Sequence, residues 1–83
     1  MLFVKEKPVR VITLLREKPK YLSQLAKEAD VTYPYITKLA KILVARGLIS
    51  IETKGKFRVL RLTEEGKKLA ALLEEVRKFE KGQ

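Results

Sequence analysis

At Gly47 the spacing of apolar residues in this chain changes. Before it they recur three and four positions apart, as on one face of a helix. After it, Leu48 to Thr53 is rich in β-branched residues. Phe57 to Leu62 alternates Arg58/Leu60/Leu62 with Phe57/Val59/Arg61. From Leu69 onward the helical spacing returns. A chain that leaves the helical period once and comes back to it admits few folds. It predicts helices first, one antiparallel hairpin next and a closing helix last.

The first helical segment runs from Pro8 to about Glu17, with Val11, Ile12, Leu14 and Leu15 as its apolar face. Lys18-Pro19-Lys20 ends it. The second runs from about Ser23 to Ala29, with Ser23 as the expected N-cap and Leu22, Leu25, Ala26 and Ala29 as the stripe. Asp30-Val31 breaks the pattern. Thr32 is the next N-cap, and Pro34 sits in the first turn, where its missing N–H is harmless. The third segment reaches Arg46 on a face of Ile36, Leu39, Ala40 and Leu43, and Gly47 is the expected residue just past its end. Lys54-Gly55-Lys56 forms the hairpin turn. Thr63 caps the last helix, with Glu64 and Glu65 in the first turn, where acids complement the dipole. Glu64–Lys68 and Glu74–Lys78 are expected to pair four residues apart.

The residue inventory excludes much chemistry. The 83-residue chain has no His and no Cys. It therefore lacks an imidazole base, a thiol nucleophile, a disulfide and the side chains of the usual zinc sites. Asp30 is the only aspartate, and Ser23 and Ser50 are the only serines. An enzyme, a metal and a cofactor are not expected. No stretch approaches the roughly 20 apolar residues of a membrane span, so no membrane partner is expected and the location is read as cytoplasmic.

Charge adds direction. There are 19 Lys and Arg against 10 Asp and Glu, a formal net charge of +9. Between Thr32 and Arg61, Lys38, Lys41, Arg46, Lys54, Lys56, Arg58 and Arg61 face Glu52 alone. From Leu62 onward the signs balance. A basic excess confined to one helix and one hairpin suits a polyanion.

The order helix, helix, short turn, helix contains a helix-turn-helix. The run Leu22-Ser23-Gln24-Leu25-Ala26-Lys27-Glu28-Ala29-Asp30-Val31-Thr32 carries it. Ile36-Thr37-Lys38-Leu39 leading to Leu43, then Arg46-Gly47-Leu48-Ile49, and finally Leu62-Thr63-Glu64-Glu65-Gly66-Lys67 complete an ordered set. On these residues the chain resembles winged helix-turn-helix transcription regulators of the MarR/ArsR-like kind, in a small archaeal form. The resemblance implies a mainly α (α+β) fold and one domain over residues 1–83. It also implies a DNA-binding regulator associated with the nucleoid.

In such a fold the second helix of the motif enters the major groove, here residues 33–46. With Ile36, Leu39 and Leu43 facing the core, Pro34, Thr37, Lys38 and Lys41 lie opposite. Thr32, Tyr33 and Tyr35 stand at the leading end. Tyr33 and Tyr35 are either contacts or partly buried staples, and Tyr35 is the stronger DNA candidate. The resemblance places the wing, residues 53–58, along the minor groove or backbone through Lys54, Gly55, Lys56 and Arg58. Arg58 is the candidate for a narrow minor groove. Lys20 and Ser23 are candidate phosphate contacts. For each cation the alternative is an ordinary solvated surface.

The last helix, residues 63–80, carries Leu69, Leu72, Val76 and Phe79 at spacing three, four, three. That is a short a/d seam, and related regulators dimerise through terminal helices. A homodimer is therefore expected. The apolar Met1-Leu2-Phe3-Val4 would also need cover. No effector site is apparent, and a small-molecule effector stays open. Two other readings stand beside the regulator: a non-specific architectural chromatin protein of the same fold, and a winged-helix module for protein–protein contact.

Overall fold

Three short apolar stripes and one longer helix meet a small sheet on a single core. The computed structural model describes residues 6–81. The elements are α1 (Glu6–Glu17), β1 (Lys20–Tyr21), α2 (Leu22–Glu28), α3 (Tyr33–Ala45), β2 (Ile49–Lys54), β3 (Phe57–Leu62) and α4 (Glu64–Lys81). Met1-Leu2-Phe3-Val4 lies outside the described residues.

The stripes of α2 and α3 are buried as their spacing predicts: Leu22, Leu25, Ala26 and Ala29, then Ile36, Leu39, Ala40 and Leu43. In α1 the buried set is Val9, Val11, Ile12 and Leu15, and Leu14 is only half-buried at the rim. Ile49 and Leu60 close the core from the sheet, and Ala70 and Leu73 close it from α4. Leu25, Ile36, Leu60 and Val11 are fully enclosed. Each contributes about 1.5–3 kcal/mol relative to an exposed position.

The sheet has one more strand than the hairpin. β1 pairs antiparallel with β3, Lys20 opposite Leu60 and Tyr21 opposite Val59, giving the order β1-β3-β2. This strand corrects the reading of Ser23 as a helix cap. Pairing with β3 holds Lys20 and Tyr21 extended, so α2 starts at Leu22 with Tyr21 in the N-cap position and no side-chain cap bond. Ser23 lies one residue inside the helix and is exposed.

The other ends are capped as expected. Thr32 Oγ1 accepts a hydrogen bond from the Tyr35 amide at 3.2 Å. Thr63 Oγ1 accepts from the Gly66 amide at 3.1 Å and donates to the Gly47 carbonyl at 2.6 Å. The α3 terminus is a Schellman turn: Gly47 has φ +73°, its N–H reaches the Val44 carbonyl, and the Leu48 N–H reaches the Leu43 carbonyl. Among the described residues, Gly66 is the one glycine where space decides. A Cβ there would run into the Leu48 carbonyl oxygen. The α4 ion pairs fall three residues apart rather than four, as Glu64–Lys67, Glu65–Lys68, Glu74–Arg77 and Glu75–Lys78. Both spacings share a helix face, so either satisfies the charges. No described helix is long and apolar enough to cross a membrane.

Candidate nucleic-acid interface

The turn between α2 and α3 sets the angle at which α3 is presented. Asp30 occupies the left-handed region at φ +56° and plays the part a glycine plays after α3. Its N–H bonds the Lys27 carbonyl, and the Val31 N–H bonds the Ala26 carbonyl. Two cations of α1 finish the corner. Arg10 donates through Nε and Nη2 to the Glu28 carbonyl, and Lys7 Nζ donates to the Asp30 carbonyl, all at 3.3 Å. Arg10 thus has a structural task that sequence spacing did not reveal.

With Ile36, Leu39 and Leu43 buried, α3 presents Pro34, Lys38 and Lys41 to solvent. Tyr33 and Tyr35 are 55% and 37% exposed, so each is open to solvent and Tyr35 is the more covered of the two. Thr37 is half-buried, and its hydroxyl donates to the Tyr33 carbonyl at 2.8 Å. That proton is spent within the helix, which leaves Thr37 an oxygen lone pair and a methyl group for a ligand. Ile42 and Val44 are also exposed. They fall off the three-four stripe, which was the available signal for them.

The wing closes through a two-residue turn. Lys54 pairs with Phe57, and Gly55 has φ +60°, which suits a turn with glycine first. Lys54, Lys56 and Arg58 are exposed at its tip. Lys54 is partly neutralised by Glu52 at 3.5 Å, whereas no ion pair holds Lys56 or Arg58 among the described residues. Across the sheet Tyr21 and Phe57 pack diagonally as a tilted pair, ring centroids 5.4 Å apart and planes at 45°. Tyr21, Ser23, Tyr33, Lys56, Phe57 and Arg58 border a cavity of about 170 Å³ between the wing and the starts of α2 and α3.

Lys20 departs from its expected role. It is 4% exposed, and its ammonium lies 3.0 Å from Glu28 Oε1. A side chain enclosed and paired in this way is not placed to meet a phosphate. The hydrogen bond from Lys20 holds the Glu28 carboxyl below its ordinary pKa of 4.5, against the opposing effect of burial, with help from Gln24.

On α4 the expected seam divides. Leu69 is half-buried against the core, Val76 is half-buried, and Leu72 and Phe79 are 64% and 60% exposed. Ala70 and Leu73 take the inward face.

Three helices, a basic hairpin wing and a long closing helix thus follow one another along the chain. A winged helix-turn-helix family model matches residues 9–81. The chain belongs to the winged helix-turn-helix family. Its fold is that of a winged helix. Among solved structures, AF1382 from Archaeoglobus fulgidus is similar at 19% identity and a TM-score of 0.88, over 94% of this chain and 91% of that one. The MarR family transcriptional regulator SPO1453 from Silicibacter pomeroyi is similar at 28% identity and a TM-score of 0.78, over 94% of this chain and 58% of that one. FabT from Streptococcus pneumoniae, solved in complex with DNA, is similar at 24% identity and a TM-score of 0.80, over 92% of this chain and 56% of that one. The chain thus spans little more than half the length of the last two. No curated protein matches the sequence.

Proposed function

We propose that this winged helix is a DNA-binding transcription regulator. It inserts α3 in the major groove and lays the β2–β3 wing on the minor groove or backbone. One observation carries the reading: the face of α3 opposite the core and the tip of the wing are both exposed and basic, with Glu52 as the only acid between Thr32 and Arg61. Thr32 to Tyr35 lead α3 into the groove, where the helix start favours a phosphate. Thr37 offers its methyl to a thymine methyl, and Lys38 and Lys41 reach guanine edges or phosphates. Lys54, Gly55, Lys56 and Arg58 hold the wing against the backbone, and Ser23 adds a hydroxyl beside it. Similarity to a MarR family regulator and to a protein solved on DNA supports the same reading.

The regulator acts as a homodimer through Leu72, Val76 and Phe79, with Leu69 divided between that contact and its own core. A twofold pair would read two half-sites about one helical turn (~34 Å) apart. Selection of bound sequences from a random DNA pool tests the proposal. A pseudo-palindromic consensus supports it, and no bound sequence at low salt defeats it.

A second reading has its own observation. α3 carries no Arg, Asn or Gln, the side chains that read bases in bidentate fashion together with Lys. An architectural protein of this fold would bind all duplexes alike, and the same selection would return no consensus.

A further inference from the structure

The cavity between the wing and the starts of α2 and α3 is lined by exposed aromatic rings rather than by charge alone. Tyr21, Tyr33 and Phe57 are 45%, 55% and 53% exposed. Three large apolar faces left open to water at one notch are not spent on the core. A stripped duplex contact would have little use for them, because paired bases present only their edges in the grooves. Lys56 and Arg58 border the same notch, together with the Ser23 hydroxyl, and no acidic residue lines it. At about 170 Å³ the space is well below the roughly 300–1,000 Å³ of ordinary small-molecule sites, and it suits a single planar ring.

Aromatic faces interleaved with cations are the elements of a stacking site for single-stranded nucleic acid. We propose that this notch binds one unpaired nucleotide, its base stacked on Phe57 and Tyr33 and its phosphate held by Lys56, Arg58 and Ser23. Tyr21 supports Phe57 from across the sheet. The site lies between the two elements assigned to the duplex, so a base extruded from a bound helix needs to travel only to the edge of the interface. The protein then prefers DNA that is bulged, mismatched or locally open, which extends the duplex reading above to a further ligand.

The test uses the full chain and three labelled DNA probes in an anisotropy titration: a perfect duplex, the same duplex with a single extrahelical thymine, and a thymidine oligonucleotide. The expected result is tighter binding of the bulged than of the perfect duplex, with quenching of tyrosine fluorescence by the thymidine oligonucleotide. Phe57→Leu and Tyr33→Leu keep apolar bulk but remove the π-face. Both should weaken the bulged duplex and the oligonucleotide by about fivefold or more. Phe57→Leu should leave the perfect duplex within twofold, whereas Tyr33→Leu, at the leading end of α3, should also weaken the perfect duplex but by less than the bulged one. Phe57→Trp should restore the preference. Equal affinity for bulged and perfect duplexes overturns the proposal, as does an equal loss on both in the leucine variants, which would put the rings against paired sugars. Absence of binding to the perfect duplex alone would defeat the regulator reading and leave the stacking site standing.

Discussion

Lys20 Nζ lies 3.0 Å from Glu28 Oε1, and Lys20 is the only buried charged side chain among the described residues. The pair ties the shortest strand of the sheet to the last residue of α2. Because the native Glu28 pKa is depressed below 4.5, the pair's contribution is complete above that value. It fades as pH falls through it and then through the lower native value. Glu28→Gln should therefore lower Tm at neutral pH, and the gap to the wild type should close in acid. Thermal unfolding of both proteins from neutral pH into the acid range checks this. A gap that stays constant with pH would mean the pair is not its source.

Gly66→Ala tests the joint between α4 and the end of α3. The added methyl meets a backbone carbonyl at Leu48, which cannot rotate away as a side-chain end would. A loss of about 1–3 kcal/mol is expected. It should appear as a lower denaturant midpoint at unchanged m value.

Asp30→Gly should go the other way. An L-residue at φ +56° carries part of the ~1–2 kcal/mol left-handed penalty, and the Asp30 side chain makes no hydrogen bond within the described residues that glycine would lose. A gain of about 0.5–1 kcal/mol is expected from chemical unfolding, with DNA affinity unchanged.

The wing cations are not equivalent. Lys56→Ala should lower the slope of log affinity against log salt by about one. Lys54→Ala should lower it by less, because Glu52 already shares its charge, and Glu52→Gln should raise affinity. Thr37→Ala and Lys38→Ala should shift sequence preference. If they lower only general affinity, α3 is not reading bases.

Leu72→Glu combined with Phe79→Glu should give a folded monomer, because both side chains project into solvent within one chain. Sedimentation and circular dichroism together check this. Leu73→Glu, buried in its own core, should instead unfold the domain.

Much of this architecture is legible in the residues. The stripes of α2 and α3, the caps Thr32 and Thr63, and the stop at Gly47 each depend on neighbours within four positions, and all are found where spacing puts them. What spacing does not carry is longer-range. A two-residue strand has no period, so β1 is invisible until β3 is in place beside it. With β1 unseen, Ser23 looks like a cap and Lys20 like a free cation. The division of the α4 stripe likewise depends on how far the domain beneath it extends, since Leu69, Leu72, Val76 and Phe79 read as one seam in sequence. The candidate interface was readable as charge, but its aromatic notch was not, because Tyr21, Tyr33 and Phe57 come from three separate elements.

The Thr63 hydroxyl, bonded on one side to the Gly47 carbonyl and on the other to the Gly66 amide, makes the end of α3 and the start of α4 a single splice. With the Thr63 amide also bonded to the Leu48 carbonyl, the two helices meet at a riveted corner, so the direction of α4 sets the direction in which α3 ends.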